Sequence, residues 1–220
     1  MLSVVVPVLD AACVLGPTLD AVAGPPTGEI VVVDGGSADG SGALASSRGA
    51  RLIIAPRGRG AQIAAGIAAA RLPWLLVLHA DTVLGGEWRA TALAHMRAAP
   101  GSAAYFRFAL AGDDPRARRL ERRVAWRCRA LALPYGDQGL LIHRDLLRAV
   151  GGVRPLPLME DVDLVRRIGR RRLAALDAPA ITSAAKWERD GWRRRSVRNL
   201  LCLSLYFAGV PPRTIARLYG

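Results

Sequence analysis

The sequence is poor in lysine, in aromatic side chains and in long apolar runs. Lys186 is the only lysine among the 31 basic residues of the 220-residue chain, and aromatic residues make up 5% of it. The longest apolar run near the C-terminus, 200–210, is well short of the roughly 18 to 20 residues that a membrane span needs. The apolar N-terminus has no basic leader and is interrupted by Pro7 and Asp10, which predicts a first strand rather than a signal peptide.

Cysteine is also scarce. The three cysteines, Cys13, Cys128 and Cys202, lie far apart and form no C-x-x-C pair. This spacing argues against a disulfide framework and against a structural zinc site, and it predicts a cytoplasmic protein. A chain of this length is expected to fold as one domain with a core of its own.

Positive charge is concentrated in the second half of the chain. Residues 1–110 carry 8 arginines and 7 acids, whereas residues 111–220 carry 23 basic residues and 11 acids. Such a field favours anionic partners, which include nucleotide diphosphates, lipid headgroups and nucleic acids. The alternative is a composition bias, because usage rich in Arg, Ala and Gly is typical of a GC-rich genome.

Short apolar runs alternate with helical patterns in the first half. The runs at 2–8, 29–33, 51–55 and 73–79 predict strands, and their lack of polar alternation is typical of a parallel sheet covered on both faces. Helical patterns separate them, one of which follows a glycine-rich loop within 57–71. We therefore predict an α/β fold of three layers, α/β/α, with a mostly parallel mixed sheet and a Rossmann-like N-terminal half.

Polar side chains gather where predicted strands end or helices begin. They form four clusters: Asp34, Asp81, Asp137 with Gln138, and Glu160 with Asp161. Ligands of open α/β sheets bind beyond the carboxyl ends of the strands, where a carboxylate can bind a base, a ribose or a divalent cation. Asp81 is the candidate metal ligand, and the alternative for it is a turn or helix N-cap residue.

Six stretches together resemble the family 2 glycosyltransferases, which have the GT-A fold. The stretches are VVVPVLDAA (4–12), VVVDGGSADGS (31–41), RGRGAQIAAG (57–66), LHADT (78–82), PYGDQGLLIHRDLLRAVGG (134–152) and LMEDVDLVRRI (158–168). The GDQG block and the tail that begins at Lys186 are most similar to the radical-SAM/selenodomain-associated subgroup, which is linked to arsenosugar biosynthesis.

The resemblance implies one GT-A domain over residues 1–220, with a nucleotide-binding half at 1–110 and an acceptor-binding half with C-terminal helices at 111–220. It implies transfer of a sugar from a nucleotide-diphosphate sugar, with UDP as the expected nucleotide, to an acceptor hydroxyl. The transfer would be an inverting single displacement assisted by Mn²⁺ or Mg²⁺. The acceptor stays open between a small molecule and a lipid-linked one, and no nucleic-acid partner is expected.

The same resemblance implies roles for residues on the donor side. Asp34 would bind the nucleobase, the residues around Arg59 would close over the nucleotide, and Asp81 would meet the metal and the diphosphate. His79 departs from the family's D-x-D-like motif at its first position, and we expect it to be a structural residue at a strand end. The residues implied to bind the nucleotide are Pro7, Val8, Leu9, Asp10, Asp34, Gly58, Arg59 and Gly60.

Asp161 matches the second residue of the family's E-D pair and is implied to be the general base. An inverting transfer needs a carboxylate that takes the proton of the attacking hydroxyl, and a helix N-terminus keeps such a group ionised. Asp137, Gln138 and Glu160 are implied to line the sugar or acceptor pocket. Glu160 could equally cap its own helix.

Several alternatives compete with this interpretation. The chain lacks the Q-x-x-R-W motif of processive relatives, so polymer synthesis is disfavoured. A sugar-1-phosphate nucleotidyltransferase would use Gly58–Gly60 as its phosphate loop, but such a loop normally follows the first strand. A polyanion- or RNA-binding protein would explain the basic half, although aromatic residues are few. Peripheral contact with the inner face of the membrane, through residues 193–210, is a further hypothesis.

Overall fold

A computed structural model of the chain describes residues 1–219. Within this range eight strands form one mixed sheet in the order β3-β2-β1-β4-β7-β6-β8-β5. The strands are β1 (Leu2–Val8), β2 (Thr27–Asp34), β3 (Arg51–Ile54), β4 (Trp74–Val77), β5 (Thr82–Leu84), β6 (Ala103–Leu110), β7 (Leu140–His143) and β8 (Leu173–Thr182).

Helices cover both faces of this sheet. They are α1 (Ala12–Val22), α2 (Ser41–Ser47), α3 (Arg59–Ala69), α4 (Trp88–Ala98), α5 (Pro115–Leu131), α6 (Arg144–Ala149), α7 (Glu160–Ile168), α8 (Ala185–Asp190), α9 (Trp192–Phe207) and α10 (Pro212–Tyr219). In the part of the chain that the structure describes, no helix is both long enough and apolar enough to cross a membrane. The predicted α/β fold is confirmed.

Alternating side chains of the central strands supply two separate cores. Val4 and Val6 face a core that also contains Leu15 of α1 and Trp88 of α4. Val5 faces the opposite core, together with side chains of α6 and α7. Because successive side chains of a strand point to opposite faces, the continuous apolar run of β1 fills both cores.

The strand order changes direction next to β1. From β1 the chain moves outward through β2 and β3, and then returns to place β4 on the other side of β1. β1 pairs in parallel with both neighbours. A crevice forms outside the carboxyl ends of the strands at such a switch point, and this crevice is the location expected for a ligand.

The chain contains elements that the sequence patterns did not predict, among them β5 and α4 in the first half and β8 and α8 in the second. β8 runs parallel to β6, but its register shifts so that Phe106 pairs with Leu176 and Arg107 with Pro179. Proline has no N–H group for a ladder and is tolerated at such irregularities. Asp177 and Pro179 interrupt the apolar pattern of β8, so the sequence did not predict this strand.

Helix α3 lies very close to the sheet because of a glycine. A Cβ atom at Gly66 would meet Val5 Cγ1 and would lie 2.7 Å from Val33 Cγ2. Both valines are fully buried and stiff at χ1. The absent side chain therefore sets the distance between α3 and the ends of β1 and β2.

We expect Gly66→Ala to lower the free energy of unfolding by about 1 to 2 kcal/mol. Overpacking typically costs about 1–3 kcal/mol, and the better helix propensity of alanine returns up to about 1 kcal/mol. Urea denaturation would measure the difference. Gly101→Ala is the control, because a Cβ there meets no atom within 4 Å, and equal stability of the two variants would contradict the close packing.

Candidate active site

An open cleft of about 890 Å³ lies where β4 ends, and it brings together five residues predicted from the sequence: Arg59, Asp81, Asp137, Glu160 and Asp161. A smaller and mainly apolar pocket of about 490 Å³ adjoins it. The cleft and the pocket share His79, Tyr135, Gly136, Glu160 and Asp161. Polar groups thus surround the entrance of an apolar recess.

The residues implied to cover the nucleobase lie at the ends of β1 and β2, outside this lining. The resemblance predicts a loop at Pro7 and Val8, but both residues are buried inside β1, so their side chains cannot cover a base. Leu9 and Asp10 do leave the strand. Asp10 joins the two strand ends, because its carboxylate accepts a hydrogen bond from the Ala38 N–H at 2.9 Å.

Asp34 is the last residue of β2 and is 5% exposed. Its Oδ1 accepts hydrogen bonds from the Gly36 N–H at 3.1 Å and from the N–H and hydroxyl of Ser37 at 2.9 and 2.6 Å. These bonds fix the carboxylate at the strand end through one oxygen. They leave Oδ2 as the oxygen available to a ligand.

Gln62 is a positioning residue that the sequence analysis did not single out. Its buried amide donates to the carbonyl of Val8 at 2.7 Å and to that of Val33 at 2.9 Å. Both acceptors lie next to the ends of their strands, so one side chain of α3 joins β1 to β2. A glutamine on the buried face of an alanine-rich helix was the only signal for it in the sequence.

The glycine-rich loop places Arg59 at the first position of α3. A Cβ at Gly60 would lie 2.6 Å from the Leu156 carbonyl oxygen, so this glycine allows α3 to touch the loop that precedes α7. Gly58 has φ = 136°, a backbone conformation that favours glycine. The two glycines therefore shape the loop, and Arg59 supplies its functional group.

The Arg59 guanidinium faces two groups of the cleft. Its Nη1 lies 3.4 Å from Glu160 Oε1 and 3.5 Å from His79 Nε2. Burial and the positive charge of Arg59 lower the pKa of His79 to about 3. The imidazole is therefore neutral at physiological pH, and His79 belongs to the cleft rather than serving only as a strand-end residue.

Asp161 occupies the first turn of α7. Its Oδ2 accepts a hydrogen bond from the Gly136 N–H at 2.7 Å, and its Oδ1 accepts one from the Val162 N–H at 2.7 Å. A Cβ at Gly136 would lie 2.5 Å from His79 Nε2. Only a glycine therefore lets the backbone approach Asp161 and His79 together.

Asp137 and Gln138 form a 3₁₀ turn, but their side chains point in different directions. Burial raises the pKa of Asp137 to about 6 even though Arg127 opposes it. The Gln138 amide instead donates to the Phe106 carbonyl at 3.1 Å and accepts from the Tyr135 N–H at 3.2 Å. The expectation that Gln138 lines the pocket is wrong, because its side chain is 2% exposed and its hydrogen bonds are made in the core.

Asp81 forms an ion pair with Lys186, whose Nζ lies 2.8 Å from Asp81 Oδ2. Burial alone would raise the pKa of Asp81, but the charge and the hydrogen bond of Lys186 outweigh it and hold that pKa below its usual range. The carboxylate is therefore ionised and already faces a cation.

The part of the chain that the structure describes holds no group of three or more His, Cys, Asp or Glu residues arranged for a metal ion. Mg²⁺ commonly binds through one or two carboxylates together with substrate phosphates. Asp81 fits binding of this kind, because it is a single carboxylate on an open cleft. The residues at this position therefore fit a divalent ion that takes its other ligands from a bound phosphate group.

The other wall of the cleft comes from the C-terminal helices, which the resemblance assigned to the acceptor half without naming their site residues. Its residues are Trp187, Arg195, Asn199, Cys202 and Tyr219. The Arg195 guanidinium donates to Asp190 at 2.8 Å and lies over the Trp187 ring, 5.1 Å from its centroid. The tail motif near Trp187 was the available signal, but its position depends on where β8 ends.

The family model described as Glycosyl transferase family 2 matches residues 3–152. This span is more than half of the chain. The chain belongs to glycosyltransferase family 2. The predicted family is thus confirmed, and the protein is a glycosyltransferase. The matched span ends before Glu160 and Asp161, so it leaves their roles untested.

Solved structures of two other enzymes share the fold. Glucosyl-3-phosphoglycerate synthase from Mycobacterium tuberculosis, in complex with Mn²⁺ and UDP-glucose, has a TM-score of 0.66 at 18% identity, covering 96% of this chain and 80% of its own. Mannosyl-3-phosphoglycerate synthase from Rubrobacter xylanophilus has a TM-score of 0.63 at 18% identity, covering 95% and 75%. No curated protein sequence matches the chain.

The stability of this glycosyltransferase is expected to depend on pH through Glu160, which is 2% exposed. Burial and the neighbouring Asp161 raise the pKa of Glu160 to about 7, although Arg59 opposes this. Between about pH 4.5 and 7 the native state then holds a proton that the unfolded chain has lost, so stability falls as the pH rises.

Glu160→Gln should remove this dependence. The melting temperature of the variant relative to the wild type should increase from pH 5 to pH 8. Glu87→Gln, at an exposed position, is the matched control. If the difference in melting temperature between Glu160→Gln and wild type stays constant over this pH range, the raised pKa of Glu160 is refuted.

Proposed function

We propose that the enzyme transfers a glycosyl group from a nucleotide-diphosphate sugar to an acceptor hydroxyl by an inverting single displacement. The observation that carries the proposal is that two carboxylates lie in one cleft. They are Asp81, which is paired with Lys186, and Asp161, in the first turn of α7. One lies on the loop after β4 and the other opens α7. Carboxylates on facing elements can serve the two ends of a displacement.

Asp161 is the proposed general base. The N-terminus of α7 stabilises its negative charge, and the Gly136 N–H fixes its orientation. An acceptor hydroxyl in the cleft beside this carboxylate would lose its proton to it as the oxygen attacks the anomeric carbon. Proton transfer to a positioned side chain typically contributes about 10²- to 10⁴-fold in rate.

The donor would extend from the ends of β1 and β2 to Asp81. Asp34 offers its Oδ2 to a base, and UDP is the proposed nucleotide because related folds are described with UDP-glucose. A divalent ion, Mn²⁺ or Mg²⁺, would be held by Asp81 and the diphosphate and would stabilise charge on the leaving group. Arg59 supplies positive charge on the same side of the cleft.

The acceptor would enter between α7 and the C-terminal helices. The wall there combines an aromatic ring, Trp187, with the polar groups of Arg195 and Asn199, which suits a small hydroxyl compound. We therefore propose that residues 111–220 form the acceptor half. Membership of the radical-SAM-associated subgroup stays a prediction. The family match disfavours the nucleotidyltransferase and RNA-binding alternatives.

A thermal-shift panel of UDP, GDP, CDP and dTDP, each with Mn²⁺, Mg²⁺ or EDTA, tests the proposal. Ligands that bind only the native state raise the melting temperature, so one nucleotide should raise it most, and more with metal than with EDTA. Asp81→Ala should lose the metal-dependent part of the shift.

Asp161→Asn is the matched variant, because it should keep the nucleotide shift while losing turnover. With acceptor mixtures, release of the nucleoside diphosphate from its sugar derivative should fall about 10²- to 10⁴-fold in kcat. A wild type that shows no shift with any nucleotide would refute the donor assignment.

The membrane hypothesis rests on α9. Val197, Leu200 and Leu201 are 65%, 64% and 53% exposed and lie at helical spacing on one face, near the exposed Arg193 and Arg194. We expect the protein to float with anionic liposomes, and Leu200→Glu to weaken this. Recovery of all wild-type protein in the soluble fraction, with anionic and neutral liposomes alike, would contradict the hypothesis.

A further inference from the structure

The only lysine of the chain lies in the active-site cleft. Every other one of the 31 basic residues is an arginine, so a bias toward arginine does not account for a lysine at this position. Its Nζ lies 2.8 Å from Oδ2 of Asp81, the carboxylate that is proposed to hold the metal. A compact ammonium on a flexible stem differs from a guanidinium, whose planar fork prefers bidentate partners.

The sheet fixes the backbone positions of the two partners. Thr82 of β5 pairs with Thr182 of β8, and their hydroxyl oxygens are 3.0 Å apart. Asp81 directly precedes β5, and two residues separate the end of β8 from the start of α8, which carries Lys186. The register of two paired strands therefore brings together residues 105 positions apart.

The two side chains differ in their freedom to move. The Lys186 side chain is 56% exposed, whereas that of Asp81 is 13% exposed. The Asp81 carboxylate is therefore held by its surroundings, while the ammonium can swing through the open cleft. A ligand that binds beside Asp81 can displace the ammonium without disturbing the fold.

Asp81 offers a divalent ion only one carboxylate, and a cation already faces that carboxylate. The first position of the D-x-D-like motif is His79, whose Nε2 lies 3.5 Å from Arg59 Nη1. A metal ion that binds Asp81 through Oδ2 must therefore replace an intramolecular cation. The diphosphate of a donor is the group that can accept the displaced ammonium, because its oxygens bind lysine as a point charge.

We propose that Lys186 is a resident cation of the diphosphate site. In the empty enzyme its ammonium neutralises Asp81. When the donor binds, the Lys186 side chain moves so that its ammonium contacts the diphosphate, and this leaves Asp81 free for the metal. This inference rests on the proposed nucleotide-sugar donor. It makes donor binding partly independent of metal and makes Lys186 and the metal ion competitors for one carboxylate.

The first test measures the Kd of the nucleoside diphosphate that binds best, by calorimetry with EDTA and with Mn²⁺. In Lys186→Met, the metal-free Kd should rise roughly 10- to 100-fold, as expected for the loss of a hydrogen bond to a charged group. The ratio of the Kd with EDTA to the Kd with Mn²⁺ should rise correspondingly. Lys186→Arg, which keeps the positive charge, is the matched control, and its metal-free Kd should lie between those of the wild type and Lys186→Met.

The second test uses the wild-type protein and the uniqueness of this lysine. Reductive methylation with ¹³C-formaldehyde labels only Lys186 and the α-amino group, and it preserves the charge. Adding the nucleoside diphosphate with EDTA should shift the Lys186 signal, and adding Mn²⁺ as well should broaden it through paramagnetic relaxation.

The outcomes separate the two proposals. The role of Lys186 is overturned if the nucleotide Kd is unchanged in Lys186→Met, or if the Lys186 signal does not shift when nucleotide binds. Either result leaves the donor assignment intact. A wild type that binds no nucleoside diphosphate, with or without metal, overturns both. The labelled wild type gives a result even where Lys186→Met fails to fold.

Discussion

The parallel pairing of β1 with both β2 and β4 is the constraint on which the active site depends. It brings the ends of three strands to one edge of the sheet, and each polar residue that follows a strand inherits its position from that edge. Gly66 lets α3 approach the sheet, and the Gln62 amide then joins the carbonyls of Val8 and Val33. Arg59, one turn before Gln62, reaches the cleft as a consequence.

A second set of contacts holds α7 against this edge. Asp163 is buried and binds Arg154 at 3.0 Å and Arg167 at 2.6 Å, which ties the preceding loop to the helix. The same loop touches Gly60. The first turn of α7, with Glu160 and Asp161, is therefore fixed relative to α3, so the backbone position of the acid pair follows from packing that involves neither carboxylate.

The sequence allowed much of this arrangement to be predicted, because its signals are local. A carboxylate directly after an apolar run, as at Asp81, or at the start of an amphipathic helix, as at Asp161, marks a strand or helix end wherever the element lies. Lys186 gave no such signal, since only the register of β8 against β5 brings it to Asp81. Gln138 misled for the opposite reason: its neighbour Asp137 lines the cleft, while contacts with Phe106 and Tyr135 direct its own amide into the core.

The charge of the second half looks different once its partners are known. Many of its arginines bind acids of the same half: Arg118 pairs with Glu121, while Arg195 and Arg198 both donate to Asp190. Those last two pairs join α9 to the end of α8 and so build the wall that carries Lys186.

The cations that remain in the cleft face four acids, Asp81, Asp137, Glu160 and Asp161. A diphosphate would be repelled by these acids, and burial weakens that repulsion by raising the pKa of Asp137 and of Glu160. Some of the arginines thus organise the fold, while in the cleft Arg59 and Lys186 supply positive charge that can offset these acids and face an anion.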